Sequence, residues 1–176
     1  MAEFSLIISG FGGQGVLSAG RLVATAGLIE NKEVSWLPSY GPEMRGGTAN
    51  CSVIISDEPI GSPLVNYCNA LIALNLPSLE KFESFVKPNG IIFVDSSLVH
   101  AKAKREDITF IAIPASEIAS DMGNMTFAGI ILLGALSYKS GIFKRDSFEE
   151  ALKEVLPAKH HHLIPQEMEA FDKGKD

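Results

Sequence analysis

A chain of 176 residues has room for one domain with a substantial core and too little for two ordinary ones. Its 46% apolar and 20% charged side chains make it globular rather than disordered. A net charge of −6, from 21 acidic against 15 basic residues with no Lys/Arg block, excludes a general nucleic-acid surface.

No basic segment precedes the first apolar run, so a secretory leader is not expected. The longest apolar run, residues 126–136, falls far short of the roughly 20 residues a membrane span needs. A cytoplasmic chain without a membrane partner is the expectation. Cys51 and Cys68 are too far apart for a Cys-x-x-Cys motif and read as reduced core thiols. Two cysteines also cannot ligate an iron–sulfur cluster, which takes about four.

In chain order, residues 4–9 (FSLIIS) are short, nearly all apolar and end at glycines, as a strand buried on both faces should. Helical spacing of Val16, Leu17, Leu22, Val23, Ala26 and Ile29 predicts a helix over 14–30. Strands follow at 33–37 and 50–56. The ten or so residues between them show no helical pattern, whereas a parallel crossover needs about a dozen, usually helical. This pair is therefore expected to be antiparallel. A strand at 69–74 leads into a helix over 77–86, then a turn at Lys87-Pro88-Asn89-Gly90 and strands at 91–95 and 109–113. Helices are predicted at 116–121, 124–139, 147–156 and 163–171, with Gly174 as terminator. With no visible linker or repeat, the chain reads as one domain over residues 1–176. Its class is α/β: a three-layer α/β/α, Rossmann-like arrangement around a mixed, mainly parallel sheet.

Two glycine motifs carry the functional signal. Gly10, Gly12 and Gly15 fit G-x-G-x-x-G between a strand and a helix, with Gly12, Gly13, Gln14 and Gly15 as the candidate cofactor-binding turn. A dinucleotide site also needs an acid at the end of the second strand for the ribose hydroxyls. Trp36, Leu37 and Pro38 stand there instead, and Glu33 lies at the opposite end. The glycines serve either a phosphate contact or simply a tight strand–helix connection.

The second motif is Tyr40-Gly41-Pro42-Glu43-Met44-Arg45-Gly46-Gly47. Arg45 offers a planar fork and Gly46 and Gly47 offer backbone N–H groups for a carboxylate or phosphate, while Tyr40, Pro42 and Met44 supply apolar surface. Alternatively, Glu43 and Arg45 pair locally and stiffen a turn.

Together the two motifs resemble the gamma subunit of 2-oxoacid:ferredoxin oxidoreductases, the same domain that is fused inside pyruvate:ferredoxin oxidoreductases. Ile60-Gly61-Ser62-Pro63, Asn124-Met125 and Glu169-Ala170-Phe171 extend the resemblance nearly end to end. It implies membership of a complex that decarboxylates a 2-oxoacid oxidatively to an acyl-CoA, of the 2-oxoglutarate or branched-chain (ketoisovalerate) type. Thiamine diphosphate, Mg²⁺ and [4Fe–4S] clusters would then reside on alpha, beta and delta partner subunits, coenzyme A would be a co-substrate and ferredoxin the acceptor. No catalytic or metal-ligating residue is implied on this chain, whose isolated form would be inactive, a homodimer being one form open to it. The 40–47 loop would be an interface or coenzyme A-side loop. Glu43 and Met44 depart from the pattern of indolepyruvate oxidoreductase beta subunits, one alternative; a stand-alone dinucleotide-binding oxidoreductase is the other.

Three further groups have ordinary readings. Asp95 ends a strand and reads as a cap for the next segment. His160-His161-His162 do not share a helical face and read as a solvated loop or helix start. His100, Ser96, Ser97 and Ser116 show no positioned base in the sequence.

Overall fold

A computed structural model describes residues 3–12, 14–39 and 48–175, Thr48 by its backbone alone. Six strands form one sheet: β1 (Glu3–Phe11), β2 (Glu33–Ser39), β3 (Thr48–Ser56), β4 (Cys68–Ala73), β5 (Val86–Asp95) and β6 (Thr109–Ile113), in the order β2-β3-β1-β4-β5-β6. β3 alone runs against the others: it pairs antiparallel with β2 and β1, while β1–β4, β4–β5 and β5–β6 are parallel. The mixed, mainly parallel sheet and the antiparallel β2–β3 pair are as the connection lengths require.

Alternation along the strands divides the core. Leu6, Ile8, Val53, Ile55, Ala70, Ile72 and Phe93 face the larger layer. That layer holds α1 (Val16–Ile29), α3 (Ala115–Asp121), α4 (Phe127–Ser140), α5 (Arg145–Val155) and α6 (Ile164–Lys173). Ile7, Leu71, Ile92 and Val94 face the thinner layer, made of α2 (Leu76–Phe82) and Val99 beyond β5. Among the described residues the α/β/α arrangement is thus unequal: five α-helices on one face, and one short helix plus a coil segment on the other.

α1 is thin because it must be. A Cβ at Gly20 would stand 2.4 Å from the Cys51 sulfur, and one at Gly27 would stand 2.8 Å from Val34. α4 and α6 meet at a second such seam, where Gly134 and Gly174 each lie against the other helix's backbone. Phe171 fills the space beside it, its ring stacked on Phe148 at 4.5 Å.

Two expectations are corrected. The helix predicted over 77–86 ends at Phe82, and residues Glu83–Phe85 form a 3-10 turn. The Lys87–Gly90 turn is not a loop before a strand but an excursion within β5. Cys68 opposes Val86 and Ala70 opposes Ile91, so the four residues 87–90 bulge out of the ladder, with Asn89 at φ 67°. Asn89 N–H bonds to the Asp107 carbonyl and holds the excursion against the segment before β6. Smaller shifts concern helix starts. α4 begins at Phe127 because Asn124 Oδ1 accepts the Thr126 N–H and hydroxyl, forming a turn in place of a first helical residue.

Candidate functional site

The chain leaves β1 toward the larger layer through α1 and leaves β4 toward the thinner layer through α2. β1 and β4 are parallel neighbours, so their carboxyl ends mark the point where connections diverge, the usual binding crevice of an open α/β sheet. A cavity of about 270 Å³ opens there, lined by Gln14, Gly15, Leu74, Asp95, Leu98, Ser116, Met125, Thr126, Ala128 and Gly129. A larger depression of about 560 Å³ lies between α3, α4 and α6. It sits away from the strand ends and gathers Asp121, Glu169 and Lys173 at an open surface, so the smaller cavity is the better candidate.

The glycine-rich turn forms one wall. Gly10 is held tight: a Cβ there would meet Gln14 Oε1 at 2.6 Å and Leu74 at 2.9 Å. Gly15 adopts the left-handed conformation, φ 77°, that ends the turn and starts α1. Gln14 folds back over the turn, its Oε1 accepting the Phe11 N–H and its Nε2 donating to the Leu74 carbonyl at 3.4 Å. This side chain, part of the candidate cofactor-binding turn, bonds the protein's own backbone while lining the cavity. Gly12 is exposed.

Asp95 forms the inner end. It is 1% exposed, and its carboxylate accepts the Ser97 N–H at 3.1 Å, the Ser116 N–H at 3.2 Å and the Ser116 hydroxyl. The capping reading of Asp95 is therefore correct. The sequence did not reveal that Ser116, 21 residues away, is its principal partner: β6 intervenes and only the fold closes that distance. Ser97 also contributes, its hydroxyl accepting the Glu117 N–H. Ser116 is thus an anchor and not a nucleophile, with no histidine beside it among its described partners. Leu98 and Met125, both exposed, flank the mouth, joined at the same end of the sheet by exposed Phe11 and Leu76.

Of the remaining candidates, Gly13 and the loop Tyr40, Gly41, Pro42, Glu43, Met44, Arg45, Gly46 and Gly47 lie outside the described residues. His160, His161 and His162 form part of a 3-10 turn, Ala158–Leu163, in which the His161 ring bonds the Leu156 carbonyl at 2.9 Å. Among the described residues no group of three or more His, Cys, Asp or Glu side chains could hold a metal ion. Cys51 and Cys68 are buried and free, and burial pushes each thiol up to about 12. Such thiols do not suit cluster ligation, which requires thiolates. No described helix is long and apolar enough to cross a membrane.

Comparison with known proteins places this geometry among relatives. Residues 5–176 match the family described as pyruvate ferredoxin/flavodoxin oxidoreductase. The chain is 38% identical over 176 residues to ketoisovalerate oxidoreductase subunit VorA of Methanothermobacter marburgensis, covering 99% of this chain but 36% of that one. It thus spans about a third of the length of those relatives. It is 37% identical over 172 residues to 2-oxoglutarate synthase subunit KorC of Methanocaldococcus jannaschii, covering 95% of this chain and 89% of that subunit. A solved keto/oxoacid ferredoxin oxidoreductase gamma subunit from Geobacter sulfurreducens superposes with a TM-score of 0.83 at 30% identity, over 98% of this chain and 96% of that one. A 2-oxoglutarate:ferredoxin oxidoreductase from Magnetococcus marinus, solved with 2-oxoglutarate, coenzyme A and succinyl-CoA bound, gives 0.89 at 25% identity, over 99% of this chain and 31% of that one.

Proposed function

This chain belongs to the pyruvate ferredoxin/flavodoxin oxidoreductase family, and from that premise we propose that it is the gamma-type subunit of a 2-oxoacid:ferredoxin oxidoreductase. The complex would convert 2-oxoglutarate or a branched-chain 2-oxoacid, carbon dioxide and reduced ferredoxin being formed beside the acyl-CoA. The observation that carries the reading is the near end-to-end match to a separate subunit of similar length, the 2-oxoglutarate synthase KorC. The match to 36% of the longer VorA is compatible with the same role, the matched segment there being part of a longer polypeptide.

Division of labour follows from the donor set. Two buried thiols, each raised by burial to about 12, do not fit an iron–sulfur centre, which takes about four thiolate ligands. Iron–sulfur clusters and thiamine diphosphate with Mg²⁺ belong in this reading to alpha, beta and delta partners, in the cytoplasm. This chain's contribution is a shaped surface at the carboxyl ends of β1, β4 and β5, facing coenzyme A or the partner subunits. The glycine-rich turn follows β1 in the chain and residues 40–47 join β2 to β3; Arg45, the cation of that second motif, is the residue to test.

The experiment is affinity purification of the native complex through this chain, followed by assay with 2-oxoglutarate and with 3-methyl-2-oxobutanoate in the presence of coenzyme A and ferredoxin. Co-purification of a thiamine-diphosphate subunit and a cluster-bearing subunit, with turnover of one 2-oxoacid, is expected. Arg45→Glu should raise the KM for coenzyme A or weaken assembly. A chain that purifies alone and binds NAD(P) would sink the reading in favour of a stand-alone dinucleotide enzyme.

A further inference from the structure

At the end of the sheet opposite the cavity, the connection from β3 to β4 carries its largest apolar side chains on the outside. Leu64 and Tyr67 are each 67% exposed, the highest values for large apolar residues among those described. Pro59 and Pro63 beside them are exposed as well. The segment is anchored, so this exposure is built in. Ser56 Oγ accepts the Glu58 N–H at 3.1 Å and Ser62 Oγ accepts the Leu64 N–H at 3.2 Å, two side-chain turns along its length. The Ser5 hydroxyl of β1 donates to the Tyr67 carbonyl at 3.2 Å, and Val65 packs on the core of the thinner layer. The two prolines fix φ at further points. An exposed apolar surface that is already ordered marks a protein contact, because little entropy remains to be lost on binding.

The adjoining sheet face is also incompletely covered. α2 packs on β4 and β1, whereas α1 packs on β2 and β3 from the opposite side. Trp36 points toward Gly20 of α1, so by strand alternation its neighbour Leu37, 37% exposed, faces the thinner side. Charge decides what can cover such a surface. The register sets Glu3 of β1 and Glu33 of β2 on either side of Ser56 of β3, and Asp57 and Glu58 follow Ser56 in the chain. Lys32 pairs with Asp57, while Glu3, Glu33 and Glu58 have no basic partner among the described residues. Lys87, at the start of β5, stands two strands or about 10 Å beyond β1, and Arg105 is already paired with Asp107. This end of the sheet is therefore net acidic. Two copies of it would repel one another across a two-fold axis, and nucleic acid or an anionic membrane would be repelled too.

We propose that residues 59–67, with Leu64 and Tyr67 as anchors, seat a sister subunit whose contact surface is apolar at its centre and ringed by Lys and Arg. The inference rests on the subunit reading above and adds where that subunit sits. A partner at the amino ends of the strands leaves the carboxyl-end cavity open to a ligand. Tyrosine suits the anchoring role, since it buries a large area while freezing few rotatable bonds. The acidic rim of Glu3, Glu33 and Glu58 orients the partner and speeds its approach.

The test purifies the complex through this chain and identifies the retained subunits by mass spectrometry. Three forms are compared: wild type, Leu64→Ser with Tyr67→Ser, and Glu3→Lys with Glu33→Lys. Wild type should release the partner as salt rises, because the rim charges are screened. Each double variant should retain it at least about tenfold less well at low salt, with unchanged circular dichroism of the isolated chain. A measurement without variants runs beside this: amide hydrogen exchange in residues 57–67 should slow in the wild-type complex relative to the isolated chain. Retention at the wild-type level by either double variant, or equal exchange in complex and isolated chain, would overturn the proposal and leave the subunit reading standing. An isolated wild-type chain that scatters light as a dimer, and as a monomer after Leu64→Ser with Tyr67→Ser, would put a second copy on the seat and overturn it as well. A wild-type chain that purifies with no oxidoreductase subunit would overturn both.

Discussion

Two glycines five residues apart in α4 should respond oppositely to the same substitution. Gly129→Ala adds a methyl group to open space and removes glycine's conformational cost, a gain of about 0.5–1 kcal/mol. Gly134→Ala gains the same propensity but places its Cβ 1.9 Å from the Phe171 carbonyl oxygen and 2.8 Å from the carbonyl carbon. Cβ contacts under 3.0 Å are essentially never tolerated, so the α6 backbone would have to retreat by more than about 1 Å. That retreat is resisted, because Gly174 rests equally closely on the backbone of α4. Overpacking of this kind costs about 1–3 kcal/mol and more when a backbone must move; net of the propensity gain, a loss of about 2 kcal/mol is expected. At about 2–4 °C per kcal/mol for a chain of this size, Gly129→Ala should melt about 1–4 °C above the parent and Gly134→Ala about 4–8 °C below it. Differential scanning calorimetry on the three proteins measures this directly, with urea titration as a second readout. Two variants that both rise would refute the α4–α6 seam; two that fall equally would refute the open space at Gly129.

Phe171→Ala should cost about 3–5 kcal/mol, since the ring is fully buried and stacks on Phe148. Urea unfolding at neutral pH reads this loss, and a change under 1 kcal/mol would contradict the packing described. The thiols make a pH prediction. Each is raised by burial from 9.0 to about 12, so above pH 9 the unfolded chain loses thiol protons that the folded chain keeps. Stability from this source is intact below pH 9 and falls as pH rises from 9 to 12, by about 1.4 kcal/mol per pH unit for each thiol. Cys51→Ala or Cys68→Ala should flatten the slope in urea titrations across that window. For the same reason iodoacetamide at pH 8 should label neither cysteine until the protein unfolds.

Local chemistry made much of this protein legible in one dimension. The apolar run FSLIIS, the helical spacing after Gly15 and the short helix-free gap between residues 37 and 50 fix strand, helix and antiparallel pairing through periodicity and chain length alone. The two glycine motifs carried the family in the same way, because backbone conformation and close approach leave a mark on residue type. Tertiary structure decided what depends on distant partners. Whether Lys87–Gly90 became a loop or a bulge was set by the register of β5 on β4. That Asp95 meets Ser116, that Gln14 closes its own turn onto Leu74, and that Gly129 faces a cavity while Gly134 faces a backbone are outcomes of packing across the sheet. Sequence records what a residue can do with its neighbours in the chain; only the folded chain determines which acceptors are already satisfied and which space is left for a ligand.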